Sequence, residues 1–108
     1  MSLIDEAFTR EQFDYLDAEV AGQLLAAISH DLGAWTDRLM AAWDAGDSEA
    51  MRLARHAIRG VCSNFGARRL WEMAETDMTS AAAREAYRAL TLATVSAIRK
   101  VAGPPIAE

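Results

Sequence analysis

His56 is the residue best equipped for chemistry, in the stretch LARHAIRGVCSNFGARRL that runs from residue 53 to residue 70. Arg52, Arg55 and Arg59 surround it in sequence, and Gly60 follows one helical turn later. A neutral imidazole is a nucleophile. Guanidinium groups three and four residues away on a helix lie beside it and disfavour a second positive charge on the ring. The same cations stabilise a phosphoryl group once it is attached. Glycine inside a helix costs about 1 kcal/mol against alanine. Helical side chains lean toward the N-terminus, so a side chain at position 60 would lie over residue 56. Leaving it out clears the approach to the imidazole. The plainer readings are an ordinary surface histidine and a glycine that admits a close helix neighbour.

A helical wheel separates these readings in part. At about 100° per residue, Ala50, Met51, Ile58, Val61 and Phe65 fall within about 60° of Ala54 and form one core face. His56 lies about 200° from Ala54, with Arg52, Arg59 and Ser63 around it. The histidine is therefore expected at the centre of the solvent face. Gly60 lies on its flank, away from the core stripe. Arg55 reads as a solvated side chain.

The elements that position this face are expected to be helices throughout. Alanine, leucine, glutamate and arginine dominate, and no alternation of strand length occurs. Thr9 and Gln12 have the spacing of a capping box, with Phe8 and Phe13 placed as its staple. Asp17 is the expected cap of a long helix with the stripe Val20, Leu24, Ile28, Leu32 or Trp35, Leu39 and Ala42, and with Gly33 as a weak point. Asp47 is expected to cap a third helix, from about Ser48 to Asn64, that breaks near Gly66. A fourth would hold Leu70, Trp71, Ala74 and Met78. The last carries Tyr87, Leu90, Thr94, Ile98 and Val101, with Arg99 and Lys100 in its final turn. Trp35 and Trp71 fit core stripes, Trp43 falls near the loop, and Cys62 reads as a small buried apolar residue. The expected architecture is all-α: an antiparallel four-helix bundle with an additional short N-terminal helix. The bundle would span residues 8–101, between tails at 1–7 and 102–108.

Composition narrows the function classes. With 52% hydrophobic and 25% charged residues in 108, the chain has the balance of one globular domain. The start, MSLIDEAFTRE, has neither a basic n-region nor an apolar h-region, and no run approaches the length of a membrane span. One cysteine, Cys62, allows no internal disulfide. A reducing, cytoplasmic setting is the expectation, with no membrane partner. The net charge of -5 is unevenly spread. Residues 1–49 hold eleven acids and two bases, Arg10 and Arg38, whereas Arg52, Arg55, Arg59, Arg68 and Arg69 follow with no acid before Glu72. A basic patch on an acidic body points to an anionic partner at one place.

His56-Ala57-Ile58-Arg59-Gly60, followed by Phe65-Gly66 and Leu70, resembles the histidine phosphotransfer (HPt) domain, whose pattern is roughly H-x-L-K-G-x-x-x-x-hydrophobic-G-x-x-x-L. The alanine-rich, acidic lead-in AAWDAGDSEAMRLA is similar as well. The resemblance covers about residues 8–101, with its specific part in some fifteen of them. It implies a phosphorelay carrier in which His56 takes a phosphoryl group from an aspartate of one receiver domain and passes it to another. It assigns charge stabilisation to Arg59, access to Gly60, and partner binding to Arg52, Ser63, Arg68 and Arg69. The implied partners are the receiver domain of a response regulator or a hybrid sensor histidine kinase. No cofactor is implied, and any Mg²⁺ would be held by the receiver. Arg59 stands where the family usually has lysine. Met78 stands, by spacing, where some members place a glutamine toward the imidazole, with Thr76, Thr79 and Ser63 as the nearby hydroxyls.

Three rival readings stand beside this one. A helix-turn-helix DNA binder would use Arg68 and Arg69, but the acidic surplus opposes DNA and leaves His56 without a purpose, so no nucleic-acid partner is expected. A bundle metal site lacks ligands, because His30 and His56 are the only histidines and no Glu-x-x-His pair exists. An HPt-like adaptor that binds a signalling partner without phosphorylation is the alternative function.

Overall fold

The computed structural model describes residues 2–102. Five helices are present and, among the described residues, no strand: α1 (Glu6–Phe13), α2 (Ala18–Ala45), α3 (Ser48–Asn64), α4 (Arg68–Ala74) and α5 (Ala81–Ala102). None of these helices is long and apolar enough to cross a membrane.

The capping box expected at Thr9 is replaced by an earlier cap. Asp5 closes the start of α1, its Oδ1 accepting from the Phe8 N–H at 3.2 Å. Thr9 is fully buried and donates its hydroxyl to the Phe65 carbonyl at 2.6 Å. The cause is tertiary. The Asp5 N–H donates to the Gly66 carbonyl at 2.9 Å, so the chain is anchored before Glu6 and the helix starts there. Of residues 1–7, read as a tail, Ile4 is buried in the core and Asp5 forms this anchor. Of residues 102–108, read as the other tail, Ala102 ends α5 and the rest lie outside the described residues.

Helix α2 begins at Asp17, whose Oδ1 accepts from the Val20 N–H at 2.9 Å. It continues without a break through Gly33. Its buried row is Ala21, Leu25, Ile28, Leu32, Thr36 and Leu39, so Val20 is exposed and Leu24 only half-buried. Both rows satisfy the three-and-four spacing through Ile28, and packing chose the one in line with Thr36. The helix stops at Gly46, whose φ of 65° is left-handed. There the Gly46 N–H bonds the Trp43 carbonyl and the Asp47 N–H the Ala42 carbonyl, which satisfies the last turn. Asp47 then caps α3 through the Ala50 N–H at 3.0 Å. This two-residue turn folds α3 back along the C-terminal half of α2.

Helix α4 ends at Ala74, short of Met78. The Thr76 hydroxyl takes the Met73 carbonyl, and the Asp77 carboxylate takes the Thr79 N–H, so local side chains compete with the next helical turn. Met78 is nonetheless fully buried, and its carbonyl accepts from Arg84 Nε at 2.7 Å. On α5, Arg84 pairs with Asp44 at 2.7 Å and Arg88 with Asp37 at 3.0 Å. Rising along α5 therefore means descending along α2. A single core joins all five helices, with Phe13 and Phe65 ring centroids 5.7 Å apart.

The core holds two ionisable groups side by side. Burial pushes the Cys62 thiol up to about 12 from 9.0, and burial, then the neighbouring Cys62, push the Tyr87 phenol up to about 12 from 10.0. Both groups are stable only in their neutral form. Stability is therefore expected to hold below about pH 9 and to fall as pH rises from there toward 12. The Tyr87 hydroxyl makes no hydrogen bond of good geometry, although the Thr36 and Thr91 hydroxyls lie near enough to offset part of the upward shift. Tyr87→Phe removes a buried hydroxyl that is at best weakly bonded, so it should leave stability at neutral pH unchanged or raise it by up to about 1 kcal/mol, and move the alkaline unfolding midpoint upward. Chemical denaturation at neutral and alkaline pH reads both. A lower neutral stability would show that the hydroxyl is satisfied.

Candidate functional site

Helix α3 buries Ala54, Ile58 and Cys62, spaced by one turn each, with Ala50, Met51 and Val61 half-buried beside them. His56 lies on the far side and is exposed, as the wheel requires. Arg52, Arg55 and Arg59 of the same helix and Glu75 after α4 enclose, together with His56, a pocket of about 220 Å³.

The three guanidinium groups are held in different ways. Arg52 makes a two-pronged pair with Glu49, Nη2 to Oε2 at 2.6 Å and Nε to Oε1 at 3.1 Å. The hydrogen bond and the charge of Arg52 hold the Glu49 carboxyl below its ordinary value, and those of Glu49 raise Arg52. The pair is exposed, so it exchanges readily for another anion. Arg55 is half-buried rather than solvated, a correction to the sequence reading. Its Nε donates to the Ala74 carbonyl at 3.3 Å, and its guanidinium lies 5.7 Å from the Trp43 ring centroid. Trp43, itself half-buried, and the carbonyl left free at the end of α4 supply what a solvated arginine would take from water. Arg59 is exposed, with its guanidinium 5.8 Å from the Trp71 ring centroid.

Gly60 has open space where a side chain would be, with nothing within 4 Å of a Cβ built there. Close packing by another helix is therefore not its reason. Gly22 and Gly33 of α2 are equally open. What sets Gly60 apart is the exposed histidine one turn before it.

The remaining expected site residues are dispersed. Ser63 is exposed and donates to the Gly60 carbonyl at 3.2 Å. Arg68 pairs with Glu72 at 2.8 Å. Arg69 lines a separate cavity with Met73 and Leu90, between α4 and α5, and does not join His56. Thr76 and Thr79 direct their hydroxyls to Met73 and Asp77. The polar residue that reaches the histidine pocket from outside α3 is Glu75, which sequence spacing does not reveal. Its position follows from the Arg55–Ala74 bond, which pins the end of α4 beside His56.

No family model, no curated protein and no solved structure matches this chain.

Proposed function

We propose that this chain is a phosphocarrier of a two-component phosphorelay, an antiparallel four-helix bundle of α2 to α5 with α1 as an additional short helix, working in the cytoplasm. His56 accepts a phosphoryl group from the aspartyl phosphate of a receiver domain, on a response regulator or a hybrid sensor histidine kinase, and returns it to another. The observation that carries this reading is an exposed histidine inside a pocket formed by three guanidinium groups and one carboxylate.

In the transfer, the lone pair of one ring nitrogen attacks phosphorus. The bond between phosphorus and the aspartate oxygen breaks, and its electron pair leaves with the carboxylate. The phosphohistidine retains the proton on the other ring nitrogen or releases it to water. Such transfers depend on positioning and on neutralising the phosphoryl oxygens. Arg55 is fixed before the phosphoryl group arrives, whereas Arg59 and the Glu49-paired Arg52 can turn toward it.

The test is label transfer from a panel of phosphorylated receiver domains. Acid-labile, base-stable label on the chain supports the carrier. A receiver that binds but never labels the chain would replace it with the adaptor reading.

Gly60→Ala adds a check in two directions. The methyl meets nothing within the chain, so helix propensity should raise stability by about 1 kcal/mol, or roughly 4–8 °C in Tm. Receiver-driven labelling should slow at the same time, because the methyl fills open surface one turn from His56 on which a receiver would close. Unchanged transfer in the stabilised variant would remove the access role from Gly60.

A further inference from the structure

Every tryptophan of the chain carries a guanidinium over its ring: Trp43 with Arg55, Trp71 with Arg59, and Trp35 with Arg38. The Arg38 stack is the tightest, at 4.5 Å from the ring centroid. It is also the one that does not involve α3. Trp35 and Arg38 belong to α2 and border a groove of about 640 Å³ that shares His56 with the basic pocket. Apart from Asp47 the rest of the groove is apolar, with Ala41, Ala45, Ala50 and Leu53 along it. Leu53 is 50% exposed, so this face has no cover within the chain.

The groove has a direction. Helices α2 and α3 meet at the Gly46–Asp47 turn, which puts Asp47 at one end. Trp35 and His56 stand about ten residues away along either helix, or roughly 15 Å at 1.5 Å per residue. Arg38 therefore sits toward the His56 end and Asp47 at the other. Arg38 is the sole Lys or Arg of α2. The two acids nearest it along α2, Asp37 and Asp44, are taken by Arg88 and Arg84 of α5. Among the described residues Arg38 has no carboxylate within ion-pair distance, and stacking on Trp35 fixes its planar fork in place.

We propose that Arg38, held by Trp35, selects the protein partner of His56 by pairing with a carboxylate at the border of an apolar helix face that the partner seats in this groove. The inference rests on the carrier reading above. An apolar trough about 15 Å long matches roughly ten residues of helix, with small alanines admitting its ridge. Its charges orient that helix, acidic end toward His56 and basic end toward Asp47. An accessible interface charge of this kind acts mainly on encounter rate and on its salt dependence.

The experiment measures transfer from receiver domains charged with acetyl phosphate, at low and high salt. Wild type, Arg38→Ala, Arg38→Glu and Arg99→Glu are compared; Arg99, in the last turn of α5, gives the same change of net charge elsewhere. Labelling of His56 by phosphoramidate, a donor with no helix to seat, is run in parallel as the reference rate. Arg38→Glu should lower the ratio of receiver-driven to phosphoramidate-driven labelling about tenfold at low salt, mostly through KM, with Arg38→Ala between it and wild type and the gap closing at high salt. A ratio within about twofold of wild type, or an equal loss in Arg99→Glu, would overturn the role of Arg38 while leaving the carrier intact. If no receiver labels wild type, the carrier reading fails and this inference fails with it.

Discussion

His56→Gln should abolish phosphoryl uptake from every receiver domain that labels the wild type, a loss on the order of a thousandfold or more in rate, equivalent to about 4 kcal/mol in the barrier. Glutamine keeps a polar, helix-compatible side chain at an exposed position, but its amide nitrogen has no lone pair free for attack. The fold should not notice. Exposed substitutions away from caps and buried networks stay within about 0.5 kcal/mol, so the melting temperature should stay within a few degrees of wild type. Receiver binding should persist as well, because the arginines and the rest of the groove are untouched. Label transfer measured with binding by titration calorimetry separates the outcomes. Label on the variant would move the acceptor to another residue and leave His56 as a surface side chain.

The second large effect is on stability. Gly66→Val should cost about 3–5 kcal/mol, or a fall in melting temperature of more than about 12 °C. Gly66 has a φ of 71°, a left-handed conformation that costs a non-glycine residue roughly 1–2 kcal/mol and a β-branched one more. A Cβ there would stand 3.2 Å from the Asp5 Cβ, 3.2 Å from Phe8 Cδ2 and 3.3 Å from the Asp5 nitrogen. Relieving those contacts moves the start of α1. That breaks the Asp5–Gly66 bond and pulls Thr9 from the Phe65 carbonyl, and a buried carbonyl left unpaired adds about 1–3 kcal/mol. Thermal unfolding followed by circular dichroism gives the answer. A variant melting within about 3 °C of wild type would show that α1 is not clamped to this turn.

What could be read before the fold was seen is whatever depends on neighbours along the chain. Helix α3 is the clearest case. Asp47, Glu49 and Gly66 bracket it, and one turn of arithmetic puts His56 opposite Ala54. The arginines of the pocket lie on that same helix, so most of the candidate site was legible. The contributions of other elements were not. Nothing local tells that Glu75 faces His56, that Arg55 lies on Trp43, or that Arg38 borders the same histidine from α2. Thr9 misleads for the same reason, since its hydroxyl lies between the Asp5 carbonyl and, at the shorter distance, the Phe65 carbonyl at the end of α3, fifty-six residues away, and caps no N–H of its own helix. The row of α2 was ambiguous because Val20–Leu24 and Ala21–Leu25 both lead by helical spacing to Ile28.

The three stacked arginines give the molecule an optical property. Each indole lies next to a guanidinium group, two at the pocket and one at the groove, and the chain contains no tryptophan elsewhere to dilute their signal. A phosphoryl group on His56 that draws Arg59 off Trp71, or a helix that closes over Trp35, changes the surroundings of a fluorophore already in place. The intrinsic emission of the unlabelled protein can therefore report occupancy of the site in real time.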